Sequence, residues 1–150
     1  MKVGFIGIGA MGKPMSSHIL EARYDLVVND IRKEAALEIL SKGAEWADTP
    51  QSVAERCGVV MTSLPLPRDV EDVVYGKHGL LAGWKKGDIL VEMSTNSPAV
   101  IRKIAKDALA RGVEVLSIVQ LGSPHWKHSE LFFEKKPLIP DLQQLLTTGL

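Results

Sequence analysis

The sequence has one cysteine, no excess of either charge and no long apolar run, and each shortage removes a class of function. Cys57 alone excludes an intrachain disulfide and a multi-cysteine zinc site, which fits a reducing compartment. Its expected role is that of a small buried apolar residue ahead of a strand at Val59. Lys and Arg number 18 against 18 Asp and Glu, which leaves no net field to draw a polyanion, so nucleic acid is not an expected partner. No apolar stretch nears the roughly 20 residues of a membrane span. The first strand starts at Lys2, leaving no room for a signal or transit peptide, and the expected address is cytoplasmic. His125 and His128 lack a third ligand at plausible spacing, so no metal site is expected. His18 reads as a surface or packing residue.

What is present is enough for one domain. The 150 residues, 45% hydrophobic and 24% charged, can bury a sizeable core. The chain is organised around its opening, Lys2-Val3-Gly4-Phe5-Ile6-Gly7-Ile8-Gly9-Ala10-Met11-Gly12, in which a short apolar run breaks into spaced glycines ahead of an amphipathic segment from Met11 to Ala22. This reads as strand, turn and helix. Gly7 allows the tight turn, Gly9 lets backbone approach a pyrophosphate, and Gly12 lets helix and strand pack closely. The first N–H groups of the helix lack intrahelical partners and carry the positive end of its dipole, so a diphosphate satisfies both at once. A second strand, Asp25 to Asp30, ends in a carboxylate about 20 residues on, where a ribose is recognised. The expected dinucleotide contacts are therefore Gly7, Ile8, Gly9, Ala10, Met11 and Gly12 in the turn, with Asn29, Asp30 and Arg32 after the second strand.

The alternation continues along the chain. Arg32 to Lys42 carries Ala35, Ala36, Ile39 and Leu40 at helical spacing, with Gly43 as the cap. Glu45 to Ala47 reads as a short strand, and Thr49-Pro50 starts a helix reaching about Arg56. Val59 to Leu64 is apolar enough for a strand covered on both faces, and Pro65 and Pro67 stop it. Asp69 to Tyr75 forms a helix, a glycine-punctuated stretch follows to Gly87, and Ile89 to Met93 is the next strand. Ser97-Pro98 opens a helix striped by Ile101, Ile104, Ala105, Ala108 and Leu109, Gly112 ends it, and Val113 to Val119 is the last recognisable strand. Helices between strands make the strands parallel. The expected fold is α/β, a Rossmann-type doubly wound parallel sheet over residues 1–119, followed by an irregular tail over 120–150 with a short helix at Asp141 to Leu146. In such sheets ligands lie beyond the carboxyl ends of the strands, where the glycine turn, Asp30, Leu64-Pro65 and Ser94-Thr95 converge.

These motifs resemble the cofactor domain of the β-hydroxyacid dehydrogenases, the group that includes 3-hydroxyisobutyrate dehydrogenase, tartronate semialdehyde reductase and 6-phosphogluconate dehydrogenase. Val3 to Met15 is similar to the family's opening signature, and Thr62-Ser63-Leu64-Pro65 to its motif after the fourth strand. Gly79-Leu80-Leu81 with Lys86-Gly87 resembles the approach to the fifth. Glu92-Met93-Ser94-Thr95-Asn96-Ser97-Pro98 is similar to the family's Asp-x-Ser-Thr-x-x-Pro segment, with Glu92 in place of the usual aspartate. The likeness covers about residues 1 to 116. It implies NAD(P)-dependent, reversible oxidation of a short 3-hydroxy acid to its semialdehyde, with Leu64, Pro65 and Thr95 near the cofactor and Ser94 near the substrate. NAD is favoured over NADP, because a carboxylate at position 30 repels a 2′-phosphate.

The resemblance also shows departures. Where the family reads Asp-Ala-Pro-Val-Ser-Gly-Gly, whose Ser-Gly-Gly holds the substrate carboxylate, this chain reads Ser117 to Ser123, and only Gly122 fits; Gly122 joins Ser94 as an expected substrate contact. The family's proton-transferring lysine stands four residues before an asparagine in a second, helical domain. Here the asparagines are Asn29 and Asn96, preceded at that spacing by Asp25 and Glu92. No catalytic residue is therefore assigned, and the expectation is the cofactor domain of a 3-hydroxyacid dehydrogenase, truncated before the lysine domain. Its partners would be the small 3-hydroxy acid and either the missing helical domain or further copies of the chain. The alternative is a dinucleotide-binding module without hydride chemistry. An S-adenosylmethionine site is a weaker reading, opposed by Gly12 and the Ser94 to Pro98 segment.

Overall fold

The computed structural model describes residues 1–117. The chain runs β1 (Lys2–Ile6), α1 (Gly12–Glu21), β2 (Asp25–Asn29), a 3₁₀ turn (Lys33–Ala36) continuing as α2 (Leu37–Ser41), β3 (Glu45–Trp46) and α3 (Pro50–Arg56). It continues with β4 (Val59–Thr62), α4 (Pro67–Tyr75), α5 (Leu80–Gly83), β5 (Ile89–Glu92), α6 (Pro98–Leu109) and β6 (Glu114–Ser117). Every strand pair is parallel. The order β3-β2-β1-β4-β5-β6 is that of the doubly wound sheet expected from the alternation of elements.

The central strands are apolar at nearly every position because both faces of the sheet are covered. Val3 and Phe5 of β1, Leu26 and Val28 of β2, Met61 of β4 and Val91 of β5 share one face with Met15 and Ile19 of α1 and Ile39 of α2. Ile6, Val27, Val60 and Leu90 point the other way, against Val53 of α3, Val70 and Val74 of α4, Leu80 of α5 and Ile104 of α6. The period of two in the strands thus sorts the side chains into two cores. Cys57 lies in the second of these, just ahead of β4, and burial pushes its thiol up to about 11. It is the buried apolar residue expected.

The local start signals act as their chemistry requires. Thr49 Oγ1 accepts a 3.1 Å bond from Ser52 N–H at the start of α3, and Ser97 Oγ accepts one of 3.3 Å from Ala99 N–H at the start of α6. Four details differ from expectation. Helix α4 begins at Pro67 rather than Asp69, because the proline that ends one element suits the first turn of the next and the Asp69 carboxylate reaches back to Leu66 N–H at 3.1 Å. The glycine-punctuated stretch contains α5. The segment after β2 opens as a 3₁₀ turn. Leu109, expected on the buried stripe of α6, is 72% exposed, since Ala108 takes the core position and its neighbour lies about 100° round the helix. Residues 118–150 lie outside the described residues, and with them the carboxyl end of the Val113 to Val119 strand, the tail from 120, the Asp141 to Leu146 helix, His125, His128 and Gly122.

Candidate cofactor site

The strand order reverses between β1 and β4, so the loops leaving these two strands part to opposite sides and open a crevice at the carboxyl edge. The glycine turn forms one wall. Gly7 has φ +95°, a conformation L side chains rarely adopt, and a Cβ there would run into the Ser63 carbonyl of the loop after β4. A Cβ on Gly12 would overlap the Gly7 carbonyl oxygen and come within 3.1 Å of the Phe5 ring. Gly9 is different. A Cβ there would meet no protein atom within 4 Å, so the space it faces is open. Ala10 and Met11 beside it are exposed, and Met11 provides no side-chain cap for α1. The helix is tied on by Lys13 N–H donating to Gly9 C=O at 3.0 Å. A bare helix N-terminus facing a side-chain-free gap fits a diphosphate.

Asp30 fastens this turn to β2. Its Oδ2 accepts from Ile8 N–H at 2.7 Å and its Oδ1 from Arg32 N–H at 2.8 Å, while Gly7 N–H donates to Asn29 C=O at 3.0 Å. Asn29 turns its side chain away, donating to Ala47 C=O at 2.8 Å, and so pins β3 rather than pointing to the crevice. Ile8 is buried, with its N–H engaged by Asp30. Arg32 is exposed, and its guanidinium has no partner among the described residues.

The opposite wall comes from β4 and β5. Leu64 N–H donates to Ser94 Oγ at 2.8 Å, joining the two loops that the sequence places together. Ser94 N–H in turn donates to Glu92 Oε1 at 2.5 Å, and Thr62 Oγ1 to Glu92 Oε2 at 3.2 Å. Glu92 is fully buried. Burial pushes its carboxyl up, opposed by the Ser94 hydroxyl and N–H and by the Thr62 hydroxyl. Pro65 and Thr95 are at the rim, and Leu64 packs in part against the second core.

A family model for the NAD binding domain of 6-phosphogluconate dehydrogenase matches residues 2–123. The chain belongs to this family. An uncharacterised oxidoreductase of Bacillus subtilis is 40% identical to it over 114 residues, 76% of this chain and 40% of that protein. Bovine mitochondrial 3-hydroxyisobutyrate dehydrogenase is 34% identical over 122 residues, 81% of this chain and 35% of that enzyme. Among solved structures, Psf3 in complex with NADP+ and 2-OPP has a TM-score of 0.73 at 27% identity, over 76% of this chain and 40% of the other. The chain thus spans well under half the length of the curated relatives it matches. Among its described residues no helix is long and apolar enough to cross a membrane.

Two residues of this NAD-binding domain were not singled out as contacts from sequence. Glu92 stood out only as a departure from the family's aspartate, although a charged residue closing a wholly apolar strand is itself a signal that its carboxyl is engaged. Asn96 accepts from Ser97 N–H at 2.8 Å, and its amide nitrogen is buried without a partner among the described residues. Nothing in its residue type announces that.

Glu92 also sets a pH dependence. Its folded pKa is raised above the unfolded value of 4.5, so the folded state holds the proton more tightly than the unfolded chain does. The stability this confers is fully present below 4.5 and is lost as pH rises through the folded value. Glu38 and Glu45 run the opposite way but are exposed and unchanged in a Glu92→Gln variant. Urea denaturation of both proteins from pH 4.5 upward should therefore show the stability of the wild type falling relative to Glu92→Gln. A constant difference across that range would contradict the assignment.

Proposed function

We propose that this chain is the cofactor half of an NAD-dependent 3-hydroxyacid dehydrogenase, one that interconverts a short 3-hydroxy acid and its semialdehyde. The observation that carries the reading is the open space at Gly9 beside a bare helix N-terminus, in a chain whose curated relatives include 3-hydroxyisobutyrate dehydrogenase. When bound, the dinucleotide supplies the hydride acceptor. The backbone of Gly9, Ala10 and Met11 would hold its diphosphate, Asp30 its adenosine ribose, and the Leu64-Pro65 and Ser94-Thr95 loops its nicotinamide end. The proton acceptor and the carboxylate cradle come from residues outside the described fold or from another chain. The competing reading, a binding module without hydride chemistry, is supported by the absence of a lysine four residues before either asparagine.

NAD is the cofactor expected. The Asp30 carboxylate sits where the adenosine ribose hydroxyls would donate, and a 2′-phosphate there would meet like charge. Two unit charges about 4 Å apart repel by about 4 kcal/mol at an effective dielectric of about 20, and solvent reduces this at a half-exposed group. Arg32 opposes the preference, since its guanidinium, exposed and without a partner among the described residues, could turn to a phosphate. Calorimetric titration of both dinucleotides against the wild type and Asp30→Asn tests the balance. The substituted amide would keep an acceptor for one of the two backbone N–H groups while removing the charge. NAD should bind more tightly to the wild type, and the gap should close in the variant. Equal or tighter NADP binding by the wild type, unchanged in the variant, would overturn the preference.

A further inference from the structure

We propose that Glu92 is the positioning residue of the cofactor crevice, locking the Leu64-Pro65 loop and the Ser94-Thr95 loop into one wall through a single buried hydrogen-bond relay. The inference rests on the dinucleotide-binding reading above. The relay runs from Leu64 N–H to Ser94 Oγ at 2.8 Å, from Ser94 N–H to Glu92 Oε1 at 2.5 Å, and from Thr62 Oγ1 to Glu92 Oε2 at 3.2 Å. It spans two strands and the loop beyond each, with Thr62 and Glu92 directly opposite in the sheet register. Thr62 and Glu92 are fully buried and Ser94 nearly so, so water cannot substitute for a lost partner.

The relay is one of acceptors. A carboxylate accepts from Ser94 N–H and Thr62 Oγ1 at once, whereas a carboxylic acid or an amide presents a hydrogen on one of its two positions and so turns one of these two donors away. The donor lost is either Thr62, which loosens β4 from β5, or Ser94, whose hydroxyl then no longer fixes Leu64. Either way the wall facing the nicotinamide end shifts while the glycine turn, held by Asp30 on the other side, stays in place. Among the described residues, the groups facing Glu92 are Thr62 from β4, Ser117 opposite it on β6, and Ser94 from the following loop. None of these is charged, and among the described residues no charged side chain contributes to the shift of its carboxyl. The proton on Glu92 is therefore read by the relay rather than by a neighbouring ion.

The test is calorimetric titration of NAD across pH 5 to 9 on the wild type, Glu92→Gln and Glu92→Asp. Wild-type affinity should rise with pH as the carboxyl ionises. Glu92→Gln, a permanent mimic of the neutral acid, should bind about tenfold more weakly at the alkaline end, an amount set by about one lost charge-assisted hydrogen bond, with no pH dependence of its own. Glu92→Asp should recover the pH dependence, because it restores the charge. If Glu92→Gln does not fold, Ser94→Ala carries the test, since it cuts the same relay at the next link and should flatten the profile likewise. Identical profiles in the wild type and the neutral variant would overturn the proposal, as would loss of melting temperature with no change in affinity. A wild type that binds no dinucleotide at any pH would overturn the underlying reading instead.

Discussion

Gly9→Ala should melt with the wild type and bind dinucleotide at least about tenfold more weakly, while Gly12→Ala should lose much of its stability. The contrast follows from what each new methyl group would touch. At position 9 a Cβ meets nothing in the protein within 4 Å, and the backbone is not in the left-handed region, so the cost to the fold should stay within about 0.5 kcal/mol. The same methyl would stand between the diphosphate and the turn. Loss of one or two hydrogen bonds to a charged group, each about 1.5–3 kcal/mol, weakens binding by at least about tenfold. At position 12 the Cβ overlaps the Gly7 carbonyl, which is backbone and cannot swing aside. Overpacking of that kind costs about 3 kcal/mol or more, a drop of roughly 10 °C in melting temperature for a chain of this size. Differential scanning calorimetry with and without NAD separates the two. A Gly9→Ala variant that binds NAD like the wild type would mean that the diphosphate does not lie on this turn.

Purified alone, the 150-residue chain should bind a dinucleotide and yet turn over no 3-hydroxy acid at a rate typical of a dehydrogenase. Removing hydride from a hydroxyl-bearing carbon also requires the hydroxyl proton to leave, and a positioned acid/base group contributes about 10² to 10⁴ in rate. Lys127, Lys135 and Lys136 occupy a stretch without a family motif, and a lysine with nothing to lower its ordinary pKa of about 10.4 is a poor proton acceptor at neutral pH. Orientation compounds the deficit, since holding the substrate carbon against the nicotinamide is worth about 7 kcal/mol or more. Absorbance at the reduced nicotinamide band with a panel of 3-hydroxy acids measures it. Vigorous NAD reduction, abolished by Lys127→Ala or Lys135→Ala, would show instead that the tail supplies a base.

The strands were legible because a sheet covered on both faces leaves little choice but continuous apolar runs, as in Val59 to Met61 and Ile89 to Val91. The glycine turn was legible because Gly7 and Gly12 are each required by a backbone contact that no side chain permits. What sequence could not give was direction within the site. Asn29 and Asp30 are adjacent and both polar, yet one bonds Ala47 across the sheet edge and the other the turn, a split decided by the pleat and by tertiary neighbours. The start of α4 was misplaced for a related reason: Pro67 reads equally well as the end of a strand and the beginning of a helix, and only the packing of Val70 and Val74 chooses.

The lone thiol, unremarkable for chemistry, makes the sheet its own gauge of breathing. Cys57 is buried just ahead of β4, at the end of the strands away from the crevice, and with a pKa near 11 only roughly one molecule in 10⁴ carries the reactive thiolate at neutral pH. A thiol reagent therefore reaches it chiefly when α3 and β4 part, so its labelling rate counts local openings of the floor of the domain. Ligand that clamps the crevice at the other end slows that rate only to the extent that the two ends open together, which turns a single cysteine into a measure of how far cooperativity runs along the strands.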